Sequence, residues 1–168
     1  MIHFRIDIHP PRTTAQGKRA VNLPGKGIRF FKTRQQSAAE TTYAALVYPH
    51  RPSEPMQGPI GIRIRFVMPW RKSEPKRNRA HGWRWHTTRP DVDNMAKALI
   101  DVMGQCGFWN DDSQLASICL EKHWGDKIGV EVVCQNLAEA SPAGAQSIFN
   151  DKGDTSIASK TKTHQKNA

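Results

Sequence analysis

Two segments of the chain alternate regularly between apolar and polar residues. Residues 2–8 place four apolar side chains on one face, and residues 60–68 place five apolar side chains opposite a face that carries Arg63 and Arg65. A repeat of two residues is typical of a strand that buries one of its faces. The pattern therefore predicts two strands whose apolar faces are directed toward a hydrophobic core.

Two other segments repeat their apolar residues at helical spacing. Residues 34–48 form a weak amphipathic pattern that ends near His50, and the pattern from Asp91 to Gly104 is longer and more regular. Asp91 follows Pro90 in a position typical of a helix N-cap, and a glycine such as Gly104 is typical of a helix end. These features predict two helices.

The remaining segments complete the prediction of an α+β fold. Residues 115–134 contain two apolar segments separated by a Gly-Asp turn, which predicts a β-hairpin. Residues 10–31 have no apolar period and are rich in proline, glycine and basic residues, which predicts a long surface loop. We therefore expect one domain over residues 1–135, a small mixed or antiparallel sheet with two helices packed on it. The polar composition of residues 136–168 predicts a flexible tail.

Composition limits the classes of protein that are compatible with this chain. With 168 residues, of which 38% are hydrophobic, the chain is long enough for one domain with a core. No apolar segment approaches the roughly 20 residues of a membrane span, and the N-terminal residues do not resemble a signal peptide. The three cysteines show no CxxC spacing, which disfavours both a disulfide framework and a thiolate zinc site. We therefore expect a cytoplasmic protein that has no membrane partner.

An excess of basic residues indicates a polyanionic partner. The formal net charge is +10, and residues 62–90 hold nine basic residues against the single acid Glu74. Neutralising phosphates releases condensed counterions, so nucleic acid is the expected partner. The predicted DNA-binding residues all lie in this basic segment, and they are Arg63, Arg65, Arg71, Lys72, Lys76, Arg77, Arg79, Arg84 and Arg89.

The loop at residues 70–90 also contains three tryptophans, Trp70, Trp83 and Trp85. Indole rings interleaved with basic residues suit stacking on bases or sugars. Tryptophans of a solvated loop can equally fold back onto the core, and the sequence leaves both interpretations open. His86 is expected to be an exposed loop histidine, the alternative being a contact with phosphate or with a metal-bound water.

Acidic residues are concentrated immediately after the basic segment. Residues 91–135 hold eight acidic residues against three lysines. Asp91 and Asp93 bracket the predicted helix start, and Asp112 precedes the strand that follows. If that strand packs beside the helix, these carboxylates could converge, and they would repel one another unless a cation were bound. Oxygen ligands favour Mg²⁺ or Mn²⁺ over zinc, so the pattern suggests a hard divalent metal near a basic surface.

Each of these residues also has a purely structural interpretation. Acids in a first helical turn are favoured by the helix dipole, and Lys97, four residues after Asp93, is typical of a surface ion pair. A non-catalytic DNA-binding protein whose acids serve only as helix caps is therefore the alternative function. Carboxylates that face DNA without a metal would repel phosphate, and this consideration favours a metal-dependent nuclease.

The segment RPDVDNMAKALIDVMGQCGFWNDDSQL resembles the signature of the RusA family of Holliday junction resolvases. In that signature a D-x-D-N-x-x-K helix is followed by an aromatic residue and D-D-x-Q. The resemblance implies that Asp91, Asp93 and Asp112 bind Mg²⁺, with Mn²⁺ as an alternative, and that Lys97 is essential for catalysis. Asp111 is the adjacent acid.

The same resemblance implies a biological setting. It implies a small α+β homodimer that cuts four-way DNA junctions by paired nicks during recombination and repair, often encoded by phages or prophages. Two other enzyme classes do not match. A restriction-like nuclease would need D-x-K or E-x-K where Ser113 and Gln114 follow Asp112, and a zinc deaminase would need H-x-E and C-x-x-C motifs.

Overall fold

The molecule is built on a five-stranded mixed β-sheet. The computed structural model describes residues 1–11, 18–23 and 27–137. The strands are β1 (Ile2–Ile6), β2 (Lys18–Leu23), β3 (Gly27–Lys32), β4 (Ile60–Pro69), β5 (Trp83–Trp85), β6 (Leu115–Gly125) and β7 (Gly129–Asn136). The helices are α1 (Arg34–Val47), α2 (Lys76–Arg79) and α3 (Val92–Gln105), with 3₁₀ turns at Tyr48–His50 and Asp112–Gln114. The sheet order is β1-β7-β4-β6-β5, and β2 and β3 pair separately, so the predicted α+β class is confirmed.

Strand β4 lies at the centre of the sheet, parallel to β6 and antiparallel to β7. Its five alternating apolar side chains are fully buried, as the sequence predicts. Tyr43 of α1 and Leu99 of α3 belong to the same buried cluster, so both helices pack on this face of the sheet. Burial of one side chain of this size contributes about 1.5–3 kcal/mol, which makes β4 the strand around which the core forms.

Both predicted helices are present at the expected positions. Helix α1 begins with a capping box in which the Thr33 hydroxyl accepts from the Gln36 backbone N–H and the Gln36 side chain accepts from the Thr33 N–H. Helix α3 buries the predicted apolar stripe against the sheet. Within the described part of the chain, no helix has the length and apolar character that a membrane span requires.

The predicted hairpin over residues 115–134 is wrong in its pairing. Both strands exist as β6 and β7, but β4 lies between them and pairs with each. Alternation predicts that a segment is a strand but does not identify its partners, and a strongly apolar strand such as β4 is favoured in the interior of a sheet. Residues 126–128 pass the end of β4, where Trp70 Nε1 donates to Asp126 at 2.7 Å.

The predicted long loop over residues 10–31 is also wrong where the structure describes it. Strands β2 and β3 form an antiparallel pair in which Lys18 lies opposite Lys32. Their sequences, KRAVNL and GIRFFK, mix apolar and basic residues without strict alternation, so a repeat of two does not reveal them. The predicted tail lies outside the described residues after Leu137 and stays a prediction.

Candidate active site

The start of helix α3 presents two carboxylates to solvent. Asp91 occupies the N-cap position with an extended backbone, and Asp93 lies in the first turn. The Asp91 side chain makes no capping hydrogen bond, although its position is the one from which a cap would act. Both residues are exposed. The two carboxylates are therefore accessible to a ligand at the helix N-terminus, where the dipole favours negative charge.

Lys122 of β6 fixes the segment that leads into this helix. Its ammonium donates to the carbonyl oxygen of Thr88 at 2.8 Å and to that of Pro90 at 2.5 Å. Burial lowers the pKa of Lys122, and the nearby charges of Asp91 and Asp93 oppose that shift. The sequence pattern does not identify Lys122 as a candidate site residue. The feature that could have identified it is a lysine on a strand face that otherwise carries the apolar residues Leu120 and Trp124.

Lys97 lies one helical turn after Asp93, as its spacing predicts. Its ammonium donates to Asp101 at 3.2 Å, which is an exposed i,i+4 pair. A pair of this kind contributes little free energy because water competes for both charges. The Lys97 side chain is therefore free to exchange Asp101 for a phosphate oxygen.

Asp112 lies at the opposite end of α3. One of its carboxylate oxygens accepts from Trp109 Nε1 at 2.7 Å, and the same oxygen is 3.0 Å from the position that a Cβ atom would take on Gly104. Gly104 follows Asp93 by eleven residues of continuous helix, a distance of about 16 Å at 1.5 Å per residue. Asp111 caps the 3₁₀ turn, and hydrogen bonds from Ser113 lower its pKa.

The expected convergence of Asp91, Asp93 and Asp112 is therefore not observed within one chain. Residues 106–110 turn back at the end of α3, where the Phe108 N–H donates to the Met103 carbonyl oxygen, and β6 then runs alongside the helix in the reverse direction. Among the described residues, no three His, Cys, Asp or Glu side chains form a group that could hold a metal. The oxygen donors suit Mg²⁺ chemically, but a single chain does not supply a complete ligand set.

Two of the predicted DNA-binding residues are held in an ion network on the sheet face opposite the helices. Arg63 donates to Glu121 at 2.9 Å, and Arg65 donates to Glu121 at 2.7 Å and to Glu131 at 3.2 Å. Burial would raise the pKa of Glu121, but the hydrogen bonds from the two arginines hold it below its usual value. Nearby acids therefore offset the positive charge of this network.

The other predicted DNA-binding residues are exposed around α2 and β5. They are Arg71, Lys72, Lys76, Arg77, Arg79, Arg84 and Arg89. The acid of this segment, Glu74, is buried and accepts hydrogen bonds from Asn78 at 2.6 Å and from Arg84 at 2.8 Å. The segment therefore presents a surface of predominantly positive charge.

The structure separates the three tryptophans of the 70–90 segment. Trp70 is partly buried and packs against the core, whereas Trp83 and Trp85 are exposed. His86 is buried and stacks on Trp124 with ring centroids 4.0 Å apart, so the expectation of an exposed loop histidine is wrong. No local pattern predicts this burial, because Trp124 reaches His86 only through the pairing of β5 with β6.

Comparison with known proteins supplies an independent observation. A family model described as Endodeoxyribonuclease RusA matches residues 9–135. The chain is 26% identical over 129 residues to the crossover junction endodeoxyribonuclease rusA of Lactococcus phage r1t, covering 77% of this chain and 93% of that protein. It is 28% identical over 134 residues to the uncharacterized protein YqaN of Bacillus subtilis strain 168, covering 74% of this chain and 90% of that protein. The matched region includes both ends of α3 and all of β6.

Proposed function

The chain belongs to the RusA endodeoxyribonuclease family, and on that premise we propose that it resolves four-way DNA junctions by paired, Mg²⁺-dependent nicks. Family membership implies a nuclease that acts as a Holliday junction resolvase. The metal, the paired nicks, the homodimer and the individual site residues are proposals for this chain.

One observation carries the proposal. Asp91 and Asp93 are exposed at the N-terminus of α3, and the Asp91 carboxylate makes no capping hydrogen bond. A binding protein that used these acids only to start a helix would be expected to cap with Asp91. Instead, two carboxylates face solvent immediately after a segment with seven exposed cations. Without a bound cation they would repel the DNA that those cations attract.

We further propose a homodimer, because one chain separates Asp112 from Asp91 and Asp93 by the length of α3. A two-fold axis that sets the α3 helices of two copies side by side and antiparallel brings Asp112 of one copy to the helix N-terminus of the other. Such a dimer has two equivalent sites. Paired nicks cut two symmetry-related strands of the junction, and the two equivalent sites match those two strands.

The edge of β6 supports this arrangement. Among the described residues, β5 pairs only with His123–Gly125, so Leu115–Glu121 have no strand neighbour on that edge. Ile118, at the middle of this edge, is 49% exposed. An open strand edge readily pairs with another strand. Antiparallel pairing about Ile118 would set Leu115 of one copy opposite Glu121 of the other, because each is three residues from the axis. The open edge ends there, since the His86 N–H donates to the Lys122 carbonyl oxygen at 3.0 Å.

In this dimer Asp91 and Asp93 of one copy and Asp112 of the other would hold Mg²⁺. When bound, the metal supplies an activated water and offsets the negative charge that develops at the scissile phosphate. Lys97 orients a phosphate oxygen, and Lys122 keeps Asp91 in place through the Thr88 and Pro90 carbonyls. The exposed cations of the 70–90 segment hold the flanking phosphates.

The direct test is a cleavage assay on DNA of defined branching. Purified protein is incubated with end-labelled four-way, three-way and linear duplex DNA, in Mg²⁺ and in EDTA. We expect symmetric nicks in the four-way junction that depend on Mg²⁺. Tight binding without cleavage would favour the non-catalytic alternative, and equal cleavage of all three substrates would contradict selectivity for junctions.

A mixed-dimer experiment tests the shared site. Asp93→Asn and Asp112→Asn chains, each inactive alone, are denatured together and refolded. If each site takes Asp93 from one copy and Asp112 from the other, a mixed dimer contains one site with both residues intact and one with both replaced. We therefore expect single nicks to return in the mixture. If each site lies within one chain, the mixture stays inactive.

A further inference from the structure

Trp83 and Trp85 form an exposed aromatic surface at the edge of the sheet. They lie on the same face of β5, opposite Gly125 and His123 of β6, and are 44% and 55% exposed. The two indole centroids are 5.1 Å apart with the rings at 85°. The His123 ring meets Trp83 at 5.9 Å and Trp85 at 6.5 Å, both edge to face. These three residues, here called the Trp platform, hold one another in place while leaving indole surface open.

Two adjacent exposed indoles are unfavourable for an isolated chain. A tryptophan buries roughly 150–250 Å² when it is packed, at about 25 cal/mol per Å² of apolar area. The rings of the Trp platform leave much of that area in water. Exposed aromatic patches of this kind mark binding surfaces on soluble proteins.

The charges around the Trp platform indicate which partner it fits. Helix α2 packs against β5 and exposes Lys76, Arg77 and Arg79. Glu74 accepts from Asn78 and Arg84 and is therefore neutralised locally. The core of a protein–protein interface is depleted of lysine, whereas surfaces that bind single-stranded nucleic acid combine cations with exposed aromatic rings.

We propose that the Trp platform binds unstacked nucleobases of single-stranded DNA, while the exposed cations of α2 hold the adjacent phosphates. Five residues, 86–90, join Trp85 to Asp91, so their Cα atoms are at most about 22 Å apart. The inference rests on the proposed function and narrows its substrate. It implies that the branched DNA is bound with unpaired bases close to the nick.

Binding without cleavage tests this inference. Wild-type protein and the Trp83→Ala/Trp85→Ala variant are titrated, in EDTA, with labelled oligo-dT and with a duplex of equal length. Each base–aromatic stack contributes about 1–3 kcal/mol, so loss of two stacks should lower the affinity for oligo-dT at least about 30-fold, with little change for the duplex. Tyr48→Ala is the matched control, because Tyr48 is 52% exposed at the far end of α1, and it should bind like the wild type.

Two further measurements separate stacking from loss of structure. Trp83→Phe/Trp85→Phe keeps two flat rings and should retain more oligo-dT affinity than the alanine variant. Indole fluorescence of the wild type should be quenched by oligo-dT, and that quenching should be lost in both double variants. Equal losses on oligo-dT and duplex, or wild-type affinity in the alanine variant, would overturn the inference.

A failure of this inference can be distinguished from a failure of the proposed function. If the wild type binds oligo-dT through the Trp platform but does not nick four-way junctions, the nuclease proposal fails and the base-binding surface stands. If the wild type nicks junctions and the alanine variant binds oligo-dT normally, only this inference fails.

Discussion

The ammonium of Lys122 shows how a single side chain away from the acidic signature can shape the site. It is partly buried, donates to the carbonyl oxygens of Thr88 and Pro90, and lies near Asp91 and Asp93. Each of these features depends on β6 running back beside α3. The local sequence pattern shows only that a lysine interrupts an apolar strand face.

Replacement of Lys122 should impair turnover more than binding. Lys122→Met leaves two carbonyl oxygens without their donor and releases Asp91, and misplacement of a site group by about 1 Å can cost about a hundredfold. We expect kcat for junction cleavage to fall by about 10- to 100-fold, with an unchanged Kd for junction DNA in EDTA. Lys122→Arg should restore part of kcat, and Lys127→Met, at an exposed turn after β6, is the matched control. A loss of affinity with unchanged kcat would contradict this role.

Neutralising a proposed metal ligand should separate binding from cleavage. Asp93→Asn and Asp112→Asn each remove a charge that would hold Mg²⁺, and that would otherwise repel phosphate. We expect nicking to be abolished, while the junction Kd in EDTA is unchanged or lower. Glu54→Gln, an exposed acid in another segment, should behave like the wild type. Full Mg²⁺-dependent nicking by either asparagine variant would remove that residue from the site.

At the level of elements, local periodicity predicts whether a segment is a helix or a strand, but it does not predict where that element lies in the fold. Strand β4 and helix α3 were predictable because their apolar repeats are regular and each buries a continuous face. The pairing of β6 with β4, and the separation of Asp112 from Asp93, depend on long-range order in the sheet. The candidate site residues could therefore be proposed from sequence, but the placement of Asp93 and Asp112 at the two ends of α3 could not be predicted.

The edge of β6 should determine the oligomeric state. Ile118→Glu places a charge at the middle of the proposed interface, where like charges from two copies would face each other. We expect light scattering to show a monomer for this variant and a dimer for the wild type, with unchanged circular dichroism because Ile118 is half exposed. Tyr48→Glu should remain dimeric. A dimer that survives Ile118→Glu would place the interface elsewhere.

Across the whole molecule, positive charge is unevenly compensated. The arginines of the ion network are matched by Glu121 and Glu131, whereas the cations around α2 and β5 face solvent. Within the described part of the chain, exposed basic side chains are therefore concentrated around α2 and β5, at the edge of the sheet beside the proposed site. The molecule should meet DNA with that edge.

The salt dependence of binding should locate this contact. Each phosphate neutralised changes the slope of log K against log salt by about −0.9 for duplex DNA. Lys76→Gln/Arg77→Gln should therefore make the slope shallower by about 2 in titrations on duplex DNA. Arg51→Gln, whose guanidinium stacks on Tyr48, is the control and should leave the slope unchanged. An unchanged slope in the double variant would place the contact elsewhere.

The position of Gly104 couples the stability of helix α3 to the position of the Asp112 carboxylate. In the interior of a helix, alanine is more favourable than glycine by about 1 kcal/mol, and Gly104 is the last residue but one of α3. Here the added methyl group would stand 3.0 Å from an oxygen of Asp112 and 3.2 Å from the Trp109 nitrogen that holds it. A Gly104→Ala variant gains helix stability only if Asp112 or Trp109 shifts by a few tenths of an ångström, so selection for thermal stability alone would act against the present position of the Asp112 carboxylate.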